Sequence, residues 1–128
     1  MNPWLLALLF TSVPLAALAN PPTVGTVGYS FNDPVLGSVV ICDELHQLQA
    51  IANADNAQLA FQALNKQLNS AGKPTCVTGV LSADVLDVKP IGLMDVAEHK
   101  FNAWGIQIGK TGQTRWLLYL EAFNGVIA

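Results

Sequence analysis

Cys42 and Cys76 are the only two cysteines of the 128-residue chain, and both follow an N-terminal apolar run typical of an export signal. Exported chains fold in an oxidising compartment, where two cysteines are usually joined. We therefore predict a disulfide between Cys42 and Cys76. The bond requires the two segments that carry these residues to meet in the fold, and it leaves neither sulfur available as a nucleophile or a metal ligand.

Residues 1–19 predict a cleavable signal peptide. Residues 5–19 are almost wholly apolar and end in the small-x-small sequence Ala17-Leu18-Ala19, so cleavage is expected before Asn20. The alternative is an N-terminal membrane anchor. It is disfavoured because the run is interrupted by Pro14 and is shorter than the roughly 20 residues that cross a bilayer. The mature chain is therefore expected to be periplasmic or secreted, with no membrane association after cleavage.

Size and charge limit the number of domains and the class of partner. Residues 20–34 are rich in Pro, Gly and Thr and predict an extended arm with a turn at Asn32-Asp33-Pro34, while residues 35–128 suffice for a single small domain. The formal net charge is −3, and the six basic residues are scattered singly. Nucleic acids and anionic membrane surfaces need a clustered basic face, so both are excluded as partners.

Hydrophobic periodicity predicts two helices between the cysteines. Asp43 is expected to cap the first helix, whose apolar residues recur at helical spacing from Leu45 to Ile51. Asp55, with Gln58 three residues later, predicts a capping box at the start of a second helix. Gly72 and Pro74 indicate where that second helix stops.

The remaining segments favour strands. Residues 35–41 form a β-branched run before the helices, and further strands are expected at 75–81, 85–91, 100–108 and 115–123. Pro90 should place its strand at an edge or strand end, and residues 109–113 predict a hairpin loop. Helices followed by antiparallel strands indicate an α+β fold. We expect two amphipathic helices packed on a small antiparallel or barrel-like sheet.

The residues around the cysteines also carry a family likeness. The sequence Val40-Ile41-Cys42-Asp43, followed by Gln47, an Ala/Asn-bearing segment at 57–65 and Pro74-Thr75-Cys76, resembles a family of small exported proteobacterial proteins of uncharacterised function. The resemblance covers residues 25–123. It implies a fold and an extracytoplasmic compartment, and it carries over no activity, cofactor or catalytic residue.

The aromatic residues Trp104, Trp116 and Tyr119 form a candidate binding surface on the C-terminal strands. Side chains alternate along a strand, so Trp116 and Tyr119 face opposite ways and both faces carry large apolar groups. Either both sets are buried, or one set is an exposed binding patch. From this we predict a non-enzymatic binding or structural protein of the cell envelope, whose partner is an envelope or extracellular protein.

An enzyme is the alternative. It would be a small hydrolase or metal-dependent enzyme that uses His46 or His99 with nearby carboxylates such as Asp95 and Glu98. No serine lies in a nucleophile elbow and no spacing matches a metal-ligand signature, so we predict no cofactor and no metal site. A third hypothesis is a structural role, or an inhibitor that presents the Lys110 loop to a protease.

Overall fold

The computed structural model describes residues 22–32, 38–110 and 113–123. The predicted signal peptide lies outside these ranges, as do Asp33 and Pro34 of the predicted turn. The described chain is 53% strand and 20% helix, and its six strands form a curled half-barrel sheet. The predicted α+β class is therefore wrong: the fold is mostly β, with two short helices added to one large sheet. The strands were underestimated because charged and glycine-containing stretches interrupt their apolar pattern.

All neighbouring strands of the sheet are antiparallel. The strands are β1 (Tyr29–Phe31), β2 (Val39–Cys42), β3 (Cys76–Gly79), β4 (Leu81–Val96), β5 (His99–Lys110) and β6 (Gln113–Ala122), and their order in the sheet is β1-β4-β5-β6-β2-β3. Helices α1 (Leu45–Asn53) and α2 (Ala57–Lys66) lie between β2 and β3 in the chain. Within the ranges given above, no helix is long and apolar enough to cross a bilayer.

The central feature of the sheet is β4, a strand of 16 residues where a short strand at 85–91 is predicted. Its pairing with β5 shifts register between Val85 and Asp87 and again between Pro90 and Gly92. These bulges let one strand bend and curl, and the second accommodates Pro90, which cannot donate a ladder hydrogen bond. The outer edge of β4 is paired by β1 only at its first residues, so Pro90 does sit on an open edge of the described sheet.

The sheet buries apolar side chains on both faces. The helix-side cluster combines strand residues with α1, and its buried members are Val40, Cys42, Leu48, Ile51, Cys76, Met94, Phe101, Ala103, Leu118 and Leu120. The strand-only cluster contains no helix residue and consists of Phe31, Val39, Ile41, Ala83, Val85, Ile106, Ile108, Leu117 and Tyr119. The curl of the sheet buries this second set by bringing strand residues against one another. Part of the predicted arm, Tyr29–Phe31, contributes to it as the edge strand β1.

Helix α1 begins one residue later than predicted. Its N-cap is Glu44, whose amide donates to Oε1 of Gln47 over 3.0 Å. Asp43 lies just after β2 and extends its pairing by one hydrogen bond, because its amide donates to the Thr75 carbonyl over 2.9 Å. The Asp43 carboxylate instead forms an ion pair with Arg115 over 3.2 Å and accepts a hydrogen bond from Asn69 over 3.1 Å.

Helix α2 is capped by Asn56 rather than by Asp55. The Asn56 side chain accepts a hydrogen bond from the Leu59 amide over 3.1 Å. The helix ends at Lys66, well before Gly72, because the chain then forms a tight loop in which Leu68 pairs with Pro74. Gly72 takes its expected left-handed conformation, with φ of 74°, in that loop rather than at the helix end.

The predicted disulfide between Cys42 and Cys76 is confirmed. The two residues are directly opposite each other on β2 and β3, and both are fully buried. They lie beside the Asp43–Thr75 pair, in the position of an antiparallel ladder where the two Cα atoms come closest. The bond therefore joins the strands that precede and follow the helix pair.

Candidate binding groove

A groove of about 550 Å³ opens between the α1–α2 link and the tip of the β4–β5 hairpin. Its walls come from both helices, from the strands β2, β3, β4 and β6, and from the β4–β5 turn. The lining residues are Ser38, Val40, Ile51, Asp55, Asn56, Ala57, Gln58, Phe61, Thr78, Met94, Asp95, Val96, Ala97 and Leu118. We call this feature the hairpin groove.

The base of the hairpin groove is apolar. Val40 and Leu118 are neighbours on the paired strands β2 and β6 and form its floor, while Ile51 and Met94 are buried at its sides. Phe61 of α2 is only partly buried against the same cluster. The groove lies where α1 ends at Asn53 and the chain passes into α2.

The rim of the hairpin groove is polar and includes two carboxylates. Asp95 forms an ion pair with Lys100 over 3.1 Å, and its side chain is 66% exposed. Asp55 is exposed and has no hydrogen-bond or ion-pair partner within the described part of the chain. Ser38 and Thr78 supply hydroxyl groups on the strand side. Among the lining residues there is no lysine, arginine, histidine or cysteine.

The first turn of α2 brings backbone donors to the same rim. Asn56 satisfies the Leu59 amide with its side chain and the Ala60 amide with its carbonyl over 3.1 Å. The amides of Ala57 and Gln58, which precede these two, make no hydrogen bond to the described residues. The first amides of a helix have no partner within the helix itself. The groove therefore offers both donors and acceptors around an apolar base.

The turn that joins β4 to β5 forms one wall of the groove and has an uncommon backbone. Ala97 and Glu98 have φ values of 52° and 66°, a left-handed conformation that two-residue hairpin turns adopt and that favours Asn and Gly. Neither residue is of that type. Ala97 and Glu98 therefore occupy two turn positions whose backbone conformation favours Gly or Asn.

The aromatic residues of the predicted binding surface do not lie together. Trp116 packs against the helix-side cluster, whereas Trp104 and Tyr119 belong to the strand-only side. Tyr119 is buried, and both tryptophans are half-buried. The indole N–H of Trp104 donates to Glu121 over 3.3 Å. None of the three residues lines the hairpin groove.

The two histidines of the enzymatic alternative also lie apart. His46 stands at the exposed start of α1, with Nε2 3.3 Å from Oε1 of Glu44. The separation of the two histidines follows from their places relative to β5. Leu45, the neighbour of His46, lies over Gly105 of β5. His99 begins β5 six residues before Gly105, which is about 20 Å along the strand. His99 and Glu98 line another cavity, of about 500 Å³. Throughout residues 22–32, 38–110 and 113–123, no three His, Cys, Asp or Glu side chains converge as metal ligands.

The hairpin groove was not predicted from the sequence. Its residues are distributed over nine elements and connections, so no motif or local spacing marks them. The Lys110 loop of the inhibitor hypothesis cannot be compared with it, because the turn residues Thr111 and Gly112 lie outside the described residues. The chain shows no match to any protein family model, curated protein or solved structure, so the groove is interpreted from its own geometry.

Proposed function

We propose that this chain is an exported, non-enzymatic domain of the cell envelope, and that it binds an extended peptide segment of a partner protein in the hairpin groove. The observation that carries the proposal is the apolar base of the hairpin groove, where Phe61 and Val96 stay partly exposed beside the buried Leu118. A concave apolar site with a few polar groups around it is the usual form of a ligand site.

A peptide fits the rim better than a purely apolar ligand does. An extended backbone presents N–H and C=O groups in alternation. The rim offers carboxylate acceptors at Asp55 and Asp95 and amide donors at Ala57 and Gln58. An alkyl chain would leave these groups without partners, which costs free energy when water is displaced. An apolar side chain of the peptide would occupy the floor.

The chemistry of the lining favours binding over catalysis. Ser38 and Thr78 are the hydroxyl groups in the groove, and a hydroxyl needs an adjacent base to act as a nucleophile. No histidine lines the groove, and both cysteines are joined in the disulfide. The hydrolase or metal-dependent alternative with His46 or His99 stays a prediction, which no convergent group of the described residues supports.

Export is part of the proposal. It is supported by the predicted signal sequence and by the disulfide, a bond that persists in oxidising compartments. Intact-mass measurement on protein recovered from the periplasm or medium of a bacterial expression host should give an oxidised chain that begins at Asn20. Recovery of the full-length, reduced chain from the cytosol alone would contradict export.

The binding proposal is tested with random heptapeptides displayed on phage and selected on the oxidised, immobilised chain. Thr78→Trp fills the groove from an exposed strand position, and Thr114→Trp is its matched control on an exposed position outside the groove. An apolar anchor that buries about 200 Å² contributes roughly 5 kcal/mol, so dissociation constants near 0.1–1 mM are expected for single peptides. NMR titration of the labelled chain measures affinities in this range.

We expect enriched peptides to share apolar residues, to bind the wild-type chain and the Thr114→Trp variant alike, and to shift the amide signals of α2. Binding should fall at least tenfold with Thr78→Trp. Either an absence of enrichment or equal binding to both tryptophan variants would refute the groove as the binding site.

A further inference from the structure

We infer that the hairpin groove selects peptides in which a basic residue flanks the apolar anchor; this inference rests on the proposed function and specifies its ligand. The evidence is the sign of the charges around the groove. Asp55 stands on the helix side of the rim and Asp95 on the strand side. Glu98 follows the lining residue Ala97 in the hairpin turn and adds a third carboxylate at this end of the molecule.

Among the described residues, Lys100 is the cation that pairs with one of these three carboxylates. Lys100 is bonded to Asp95, but both side chains are about half or more exposed to water. Exposed ion pairs of this kind contribute little and exchange partners readily. A basic ligand residue can therefore replace Lys100 at Asp95, and Asp55 is free to accept another.

Four other basic residues have described side chains, and none of them lines the groove: Lys66, Lys73, Lys89 and Arg115. Arg115 pairs with Asp43, and Lys89 pairs with Asp87, both away from the groove lining. Lys66 ends α2 nine residues after Ala57, so it lies about 13 Å along the helix from the residue that begins the groove-lining turn. This separation exceeds the screening length of about 8 Å at physiological salt. The lining of the groove contains two carboxylates and no basic side chain, so it carries a net negative charge.

An anionic ligand is the competing inference, because the first turn of α2 carries unpaired amides. A helix N-terminus is equivalent to roughly half a positive charge. Asp55 lies immediately before this turn, and its full negative charge outweighs that contribution at the same place. The amides are then suited to the neutral carbonyl groups of a peptide backbone, and the carboxylates to its basic side chains.

Three acetylated and amidated hexapeptides test the inference, each with a central Leu-Phe pair flanked on both sides by Lys, Gln or Glu. At 50 mM NaCl we expect the Lys peptide to bind the oxidised chain about fivefold more tightly than the Gln peptide, and the Glu peptide more weakly still. At 500 mM NaCl the three affinities should agree within about twofold.

The double variant Asp55→Asn with Asp95→Asn keeps Glu98 but removes both carboxylates of the lining, so its affinities for the Lys and Gln peptides should agree within about twofold. Asp87→Asn is the matched control, because Asp87 also lies on β4 and pairs with an exposed lysine but does not line the groove. Its discrimination between the two peptides should equal that of the wild-type chain.

The outcomes separate the two proposals. If all three peptides bind equally and Thr78→Trp abolishes binding, the groove is the site and the charge inference is overturned. Tightest binding of the Glu peptide would likewise overturn it, in favour of anion recognition by the α2 amides. If none of the peptides binds in a Thr78-dependent way and the phage selection also fails, the proposed function itself falls.

Discussion

Replacing Cys42 and Cys76 together by alanine opens a covalent loop that contains both helices. The two residues are separated by 34 positions, for which the chain-entropy model gives about 3.8 kcal/mol of stabilisation. Both sulfurs are fully buried, so their removal from the core adds about 1 kcal/mol. A small domain has roughly 5–15 kcal/mol of unfolding free energy, so the loss is large and can leave the variant only partly folded.

Reduction of the wild-type chain separates the two contributions. Reduced wild-type protein keeps both buried sulfurs but lacks the cross-link, and comparison with the alanine variant in the same reductant isolates the packing loss. Urea denaturation followed by circular dichroism is the assay. With a denaturant dependence of about 1.5 kcal/mol/M, loss of the cross-link alone should lower the midpoint by about 2.5 M.

The loss should be uneven along the chain. Helix α2 has no fully buried residue and packs on α1 and β3, so its position depends on the bond that fixes β3. Amide hydrogen exchange should therefore accelerate in α2 before it does in β5 and β6. A change of less than about 1 kcal/mol between oxidised and reduced wild-type protein would refute the chain-entropy reasoning. Two alkylatable thiols in the denatured, unreduced protein would refute the bond.

Two further predictions concern local backbone structure. Asn56→Ala should lower the unfolding free energy by about 1 kcal/mol, because it removes the cap of α2. Asp55→Ala should change the unfolding free energy by less than about 0.5 kcal/mol. Urea denaturation measures both variants, and a larger loss with Asp55→Ala would show that Asp55 is the cap. Ala97→Asn combined with Glu98→Gly should raise the unfolding free energy by about 1–2 kcal/mol, because both new residues favour the left-handed turn, and a decrease would contradict the turn conformation.

The disulfide and the existence of two helices followed from the sequence, whereas the helix starts did not. Residue type alone made Asp43 and Asp55 good caps. The hydrogen bond from Asp43 to Thr75 extends the pairing of β2 and β3 by one residue, so the chain turns into the helix only at Glu44. That ladder pairs residues far apart in sequence, and no local pattern reports it.

The fold class was mispredicted mainly at β4. Asp84, Asp87 and Lys89 interrupt its apolar pattern, and two bulges change which residues face the core. A strand with such a bulge no longer alternates with a period of two, so periodicity divides it into shorter pieces. The curl that these bulges permit also explains why both faces of β6 are apolar: each face meets a different cluster.

The connectivity of the chain places the hairpin groove at the end of the helix pair that lies away from the disulfide. At the end nearest the disulfide, α1 follows β2 and α2 leads back to β3. The Cys42–Cys76 bond therefore joins the two strands to which the helix pair is connected. At the far end the link between the helices has no covalent tie. It is placed by the burial of Ile51 and the partial burial of Phe61. The width of the groove therefore depends on how these two side chains pack and not directly on the cross-link.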